Sequence, residues 1–455
     1  MIRSIFFLLL FTCFCSISFG QNKITYQLDF DDSLFVDEVV LREVVIERDF
    51  EGASAIFQSL ADFTETRFNG NNNFGRSTFY DSAIFTDSYF RLNTWFTDAV
   101  FKGQTSFYSS AFGSSVSFRG TKFFEDVIFG GTIGDNSISR TSGSQFAIYS
   151  SFDNAHFHKK AIFRNTKFKD NTFFENAIFE SVALFDNSIF YKNADFTGVT
   201  FKKEANFNWV IMPDTLVLDY IKLSHPLDLT NTINKAEVNC KISLVGVDLS
   251  LVKIDYSKFD LIFYKNSERR LSPMLRDTIS ELNKTNIYEK LLRAQTPYPA
   301  GYKKLDIEYS EFRYSKRGAY GFFLNYLDKY WWNYGYNKEY IFTWTLYLLI
   351  LFTLINSLFF GFLNKGVYKI DNVWNASPLF NHESKQLKMK KKAQGFIRNL
   401  PHAFFYTCLI FFGLKMKIEE LQFKHKIAVT YILFVFVSGL ICTVFMANFV
   451  FSNTN

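Results

Sequence analysis

Cysteine, histidine and proline are all scarce in this chain, with 5, 6 and 7 copies among 455 residues. Cys13 and Cys15 lie in the apolar first twenty residues, which leaves Cys240, Cys408 and Cys442. Three scattered thiols make no disulfide framework, so packing must hold the chain together. Also missing are a Gly-rich phosphate loop, a nucleophile beside a plausible base and a carboxylate pair. No enzyme class is indicated, and no cofactor or metal is implied. His156 and His158 flank Phe157 and share one outward side, but two ligands alone make a weak metal site. The stretch Ser267–Arg270 (SERR) reads as a solvated turn.

Phenylalanine, by contrast, occurs 58 times. Its rungs run Phe57, Phe63, Phe68, Phe74, Phe79, Phe85, Phe90, Phe96, Phe101, Phe107, Phe112, Phe118, Phe123 and Phe129. A second flight runs Phe152, Phe157, Phe163, Phe168, Phe174, Phe179, Phe185, Phe190, Phe196, Phe201 and Phe207. Steps of six and five alternate, a repeat of about eleven residues that marks a solenoid. An eleven-residue coiled coil needs helix formers, whereas the spacers here are Ser, Thr, Asn, Asp and Gly. A flat sheet would bury every second residue, which these steps do not match. Ala55, Ala61, Ala83, Ala99, Ala155, Ala161, Ala177, Ala183, Ala194 and Ala205 each precede a rung by two, so Ala and Phe point inward together.

The segments SAIFTDSYF, TDAVFKGQTSF and NADFTGVTFKKEANF resemble the pentapeptide-repeat family in its Phe-core form. The resemblance implies a right-handed, four-sided β-helix of about 22 residues per coil. About seven coils spaced by about 4.8 Å would make a rod roughly 30–35 Å long. Each buried Phe contributes about 1.5–3 kcal/mol, and each rung is read as core. Some members of that family mimic DNA and bind topoisomerases, which needs an acidic rod. Residues 51–207 hold 16 acidic and 15 basic side chains, so mimicry and a nucleic-acid partner are not expected.

Taken in order, residues 1–20 read as a secretory signal peptide, with Arg3 before an apolar stretch and small residues at Ser18 and Gly20. Residues 21–52 read as an N-terminal cap and 53–209 as the repeat β-helix, interrupted by a Gly/Ser-rich loop at 130–145. From 210 to 264 Leu, Ile and Val replace Phe, and the β-helix is expected to continue less regularly. Residues 265–337 carry three- and four-residue spacing, predicting two amphipathic helices divided at Pro297 and Pro299.

Two charge-free apolar runs, 340–363 and 427–451, follow and are read as the bodies of transmembrane helices at 338–363 and 426–451. A Trp/Tyr-rich belt precedes the first. The segment 364–400 holds Lys365, Lys369, Lys385, Lys388, Lys390, Lys391, Lys392 and Arg398, which places it in the cytoplasm by the positive-inside rule. Residues 401–414 are apolar but short for a span, and read as a re-entrant, pore-like helix, an interfacial helix that only anchors the chain, or a short third span. Span, re-entrant helix and span resemble the two-helix, potassium-channel-like module. That resemblance makes Thr407, Phe412, Gly413, Lys415 and Gly439 candidate pore-lining residues. Lys415 and Lys417 depart from a potassium filter, because lysines at a mouth repel cations. The expected whole is a bacterial inner-membrane protein whose exported rod recognises or scaffolds an envelope protein or polymer. Its expected partners are the lipid bilayer and, if it forms an ion channel, further copies of itself.

Overall fold

The computed structural model describes residues 22–131, 143–235, 238–263, 273–295, 297–363, 385–414 and 426–453. The expected signal peptide 1–20, the centre of the segment 130–145, the stretch Ser267–Arg270, residues 364–384, Lys415 and Lys417 lie outside the described residues. The described residues fall into two compact units divided between Tyr309 and Ser310.

The first unit is the β-solenoid. Short parallel strands, most of two or three residues, stack into four sheets of 8, 11, 9 and 10 strands. Through the Phe ladder most strands pair with the one 22 residues away, as Phe79 does with Phe57 and Phe101. Winding begins at Asn22–Ile24 and ends at Phe259–Leu261, giving roughly ten coils where the ladder alone predicted about seven. The segment expected as a cap, 21–52, is therefore solenoid itself. Ile46 is buried at the register of Phe68, whereas Leu28 and Phe50 share a register with Asn72, and this mixed chemistry hid the period.

Inside, the phenylalanines form four columns, one for each side. In one of them Phe74, Phe96, Phe118 and Phe152 stack at 4.9, 4.9 and 5.0 Å with ring planes within 8°. That distance is the spacing between coils, so each ring packs on its copy above and below. Across the interior the rings meet edge to face, as Phe85 and Phe96 do at 5.5 Å and 77°. Both geometries suit the aromatic quadrupole.

The eleven-residue period has a backbone cause. Positive φ recurs at Ser54, Glu65, Arg76, Asp87, Asp98, Ser109 and Gly120, each eleven residues after the last. It resumes at Asn154, Asn165, Asn176, Asn187 and Gly198. These residues occupy the five-residue steps, where the chain turns tightly; Thr66 N–H donates to Phe63 O at 3.1 Å across one such corner. The third residue of that turn takes the left-handed conformation. The six-residue steps round their corners without it, so two corner types alternate.

Register is kept across the insert between the two flights. Lys122–Phe123 pairs directly with His156–Phe157 although the two lie 34 residues apart. At the far end two helices close the stack: α1 (Pro273–Ala294) and α2 (Pro299–Ser315). Gln295, fully buried between them, accepts from Tyr256 N–H at 2.9 Å and donates to Ile254 O at 2.7 Å. One amide thus pairs backbone groups that the last coil would leave open. Burial and the Glu308 carboxylate push the Tyr256 hydroxyl well above the ordinary phenol range. That hydroxyl donates to Glu308 at 2.6 Å and accepts from Leu261 N–H at 2.8 Å. What reads in sequence as a connector thus includes the C-terminal cap.

The second unit is helical. It holds α3 (Gly318–Trp332), α4 (Tyr340–Leu358), the short α5 (Phe360–Leu363), α6 (Lys385–Phe411) and α7 (Lys426–Asn453). The region 265–337 therefore contributes three helices where two were expected. The boundary expected at 400/401 is absent, because α6 runs through Pro401. Lys, Gln, Met, Leu and Ala favour helix on its N-terminal side. Pro401 removes one backbone bond of the turn. Nearby, Ser357 Oγ donates to Phe396 O at 2.8 Å, a bond from α4 that supports this part of α6.

Candidate functional site

The helical unit holds most of the residues singled out above. Residues that meet on α4 and α6 run in opposite order: Ser357 bonds Phe396, Asn356 bonds Thr407, and Phe352 packs on Phe411. The two helices are antiparallel. Phe352–Phe434 and Phe342–Phe449 contacts make α7 antiparallel to α4 as well. It follows that α6 and α7 both start from the end where α4 finishes. α6 stops halfway: its last residue, Phe411, lies against Phe352 in mid-α4 and Gly439 in mid-α7. α6 therefore ends beside the middles of α4 and α7.

Gly439 makes that closeness possible. A Cβ there would lie 1.8 Å from Phe411 O, so only a bare α-carbon lets the two backbones meet. Gly413 ends α6 at φ 71°, with Gly413 N–H donating to Ile410 O at 3.0 Å and Leu414 N–H to Leu409 O at 2.8 Å. This pair of bonds is a Schellman cap. Thr407 is fully buried; its hydroxyl accepts from Asn356 Nδ2 at 2.7 Å and donates to Ala403 O at 2.7 Å. Phe412 is partly exposed. Within one chain, then, Thr407 and Gly439 are contacts between helices and not open lining, and Gly413 is a cap.

Sequence reasoning passed over Asn356, Ser357 and Thr353, three polar residues in a charge-free run, whose signal was their presence there at all. All three are buried among Leu349, Phe352, Ala403 and Ile410. Asn356 Oδ1 and Thr353 Oγ1 have no hydrogen-bond partner.

On the rod, outward side chains line up at the same register in successive coils. Lys102 Nζ lies 3.7 Å from the centre of the Tyr80 ring, and His158 stacks on Phe124 at 4.4 Å. His156 and His158 stack at 3.9 Å, and His156 Nε2 meets Glu180 at 3.0 Å, which also pairs with Lys202 at 2.7 Å. These rings give their faces to one another along the rod and only their edges to solvent. Lys202 and His156 hold the Glu180 carboxyl below its ordinary range, while burial and His156 lower the His158 imidazole. Among the described residues no three His, Cys, Asp or Glu side chains gather to hold a metal. On another side Asp153, Glu175 and Asp219 are raised, mainly by burial and further by Asp195. Burial also pushes the Cys240 thiol up to about 12, so it is inert at neutral pH.

Residues 152–200 match the family model described as pentapeptide repeats (9 copies). No match to the chain was found among curated proteins or among solved structures.

Proposed function

The chain belongs to the pentapeptide-repeat family, and from that premise we propose that it is a membrane-anchored rod. The solenoid is the displayed part and the helical unit the anchor. One observation carries this reading: the helical unit turns large apolar side chains outward while it buries several polar ones. Leu346, Leu351, Leu358, Phe434, Leu440 and Val444 are 49–61% exposed, while Asn356 and Thr407 are at most 1% exposed. Water would penalise that distribution and hydrocarbon favours it. Two of the helices, α4 and α7, are also long and apolar enough to cross a membrane. Tyr326, Tyr330, Trp331, Trp332 and Tyr340 cluster before and at the start of α4, where an interfacial belt belongs.

The excess of lysine around residues 385–392 puts that end in the cytoplasm and the rod on the opposite, periplasmic side of a bacterial inner membrane. There its stacked columns of paired side chains offer a stiff surface for recognising or scaffolding an envelope protein or polymer. Cysteines introduced at Tyr80 and at Lys390, in a chain whose own cysteines are replaced, test the arrangement. The Tyr80→Cys thiol is expected to react with a membrane-impermeant maleimide in intact spheroplasts, and Lys390→Cys only after permeabilisation. Release of the protein by alkaline carbonate, or the opposite labelling pattern, overturns the reading. A second reading, several copies around a pore, draws support from the half-length α6. Oligomeric mass in detergent and ion flux in liposomes separate the two.

A further inference from the structure

Between α4 and α6 runs a groove of about 360 Å³, lined by Ile350, Thr353, Leu354, Leu400, Pro401 and Phe404. We propose that it holds one acyl chain of an anionic phospholipid, whose headgroup is bound by the basic first half of α6. The proposal rests on the membrane reading above and specifies what the anchor binds.

Three observations favour this occupant. The lining is hydrocarbon apart from Thr353, whose buried hydroxyl has no partner. Pro401, whose short ring reaches less far than a long side chain, forms part of the wall on the α6 side. Charge decides the headgroup. Lys385, Lys388, Lys390, Lys391, Lys392 and Arg398 occupy the part of α6 that precedes the groove, and the helix contains no Asp or Glu. From Lys392 to Leu400 is about 12 Å along a helix, so a lipid with its phosphate near the lysines has its upper acyl chain at the groove. A second copy of this chain would meet those lysines with lysines of its own, because the pairing would be between like surfaces. An anionic lipid neutralises them.

The test uses the full-length protein, purified in detergent and stripped of lipid, and counts bound lipid by native mass spectrometry. The probes are phosphatidylglycerol and phosphatidylcholine with identical chains, and inorganic phosphate. Wild type is expected to prefer phosphatidylglycerol by about tenfold or more. Combined Lys390→Gln, Lys391→Gln and Lys392→Gln removes the preference while both lipids still bind. Leu400→Trp, which fills the groove, lowers binding of both; Ile350→Phe narrows it from the other helix and serves if the first variant does not fold.

Equal affinity for the two lipids in wild type overturns the headgroup assignment. Full competition by inorganic phosphate, or unchanged lipid binding in both groove variants, overturns the acyl seat. A dimer that Leu400→Trp dissociates assigns the groove to a second copy and also overturns the proposal. Carbonate extraction of the same membranes keeps failure of the anchor reading apart from failure of the lipid site.

Discussion

At the scale of single residues, the rod separates two kinds of buried hydroxyl that look alike in sequence. Thr121 and Thr166 both occupy the inward position two residues before a rung, and both are fully buried. Thr121 Oγ1 donates to Phe96 O at 2.7 Å in the neighbouring coil, whereas Thr166 Oγ1 has no partner. Removing a satisfied buried hydroxyl costs about 1 kcal/mol, and removing an unsatisfied one relieves a desolvation penalty. Thr121→Val is therefore expected to lower the unfolding free energy by about 1 kcal/mol, and Thr166→Val to leave it unchanged or raise it. Equilibrium denaturation of the two variants reads the difference; equal losses would mean that volume, not hydrogen bonding, governs these positions. Sequence shows only that the site takes a small or β-branched residue, such as Ala, Ser, Thr or Val199, because the partner lies on another coil.

Among elements, the ladder was legible because one residue type marked nearly every inward position, and its steps of six and five match the two corner types. Legibility failed wherever that marker changed. Residues 22–51 use Val, Ile and Leu, so ordinary strands read as a cap. The real cap was hidden for another reason: Gln295 sits beyond α1, and nothing in the local pattern connects it to Ile254 and Tyr256. Gln295→Leu would strand a buried carbonyl and a buried N–H, each worth about 1–3 kcal/mol. The expected result is faster amide exchange confined to the last coils and α1, with the Phe-rich coils still protected. Uniform loss of protection along the rod would instead assign Gln295 a global role. In the helical unit the apolar stretch 401–414 was legible from length and polarity, but the helix that contains it begins sixteen residues earlier than expected, at Lys385. Basic residues there predicted a side of the membrane, and they are also good helix formers.

At the scale of the whole molecule, the solenoid is one-dimensional: each coil touches only its neighbours, so its length is adjustable in whole units. The unit is set by 22-residue pairing and by the recurrence of left-handed corners, which make Asn165 and Asn187 equivalent at φ 58° each. Deleting residues 165–186 joins Arg164 to Asn187 and restores every column, with one coil fewer and a rod shorter by about 4.8 Å. Deleting only 165–180 joins Arg164 to Ser181, puts corner residues into straight segments and turns inward positions outward. In the full-length protein the first deletion is expected to keep the protease-resistant rod with a modestly lower melting temperature. The second is expected to lose resistance from the junction onward. The lost coil removes the Arg164–Asp186, Lys192–Asp170 and Lys202–Glu180 pairs together with one Phe from each of the four columns. Ion pairs of this kind contribute about 0–1 kcal/mol, so the stacked Phe interior, not the charged columns, should set the melting temperature of the shortened rod.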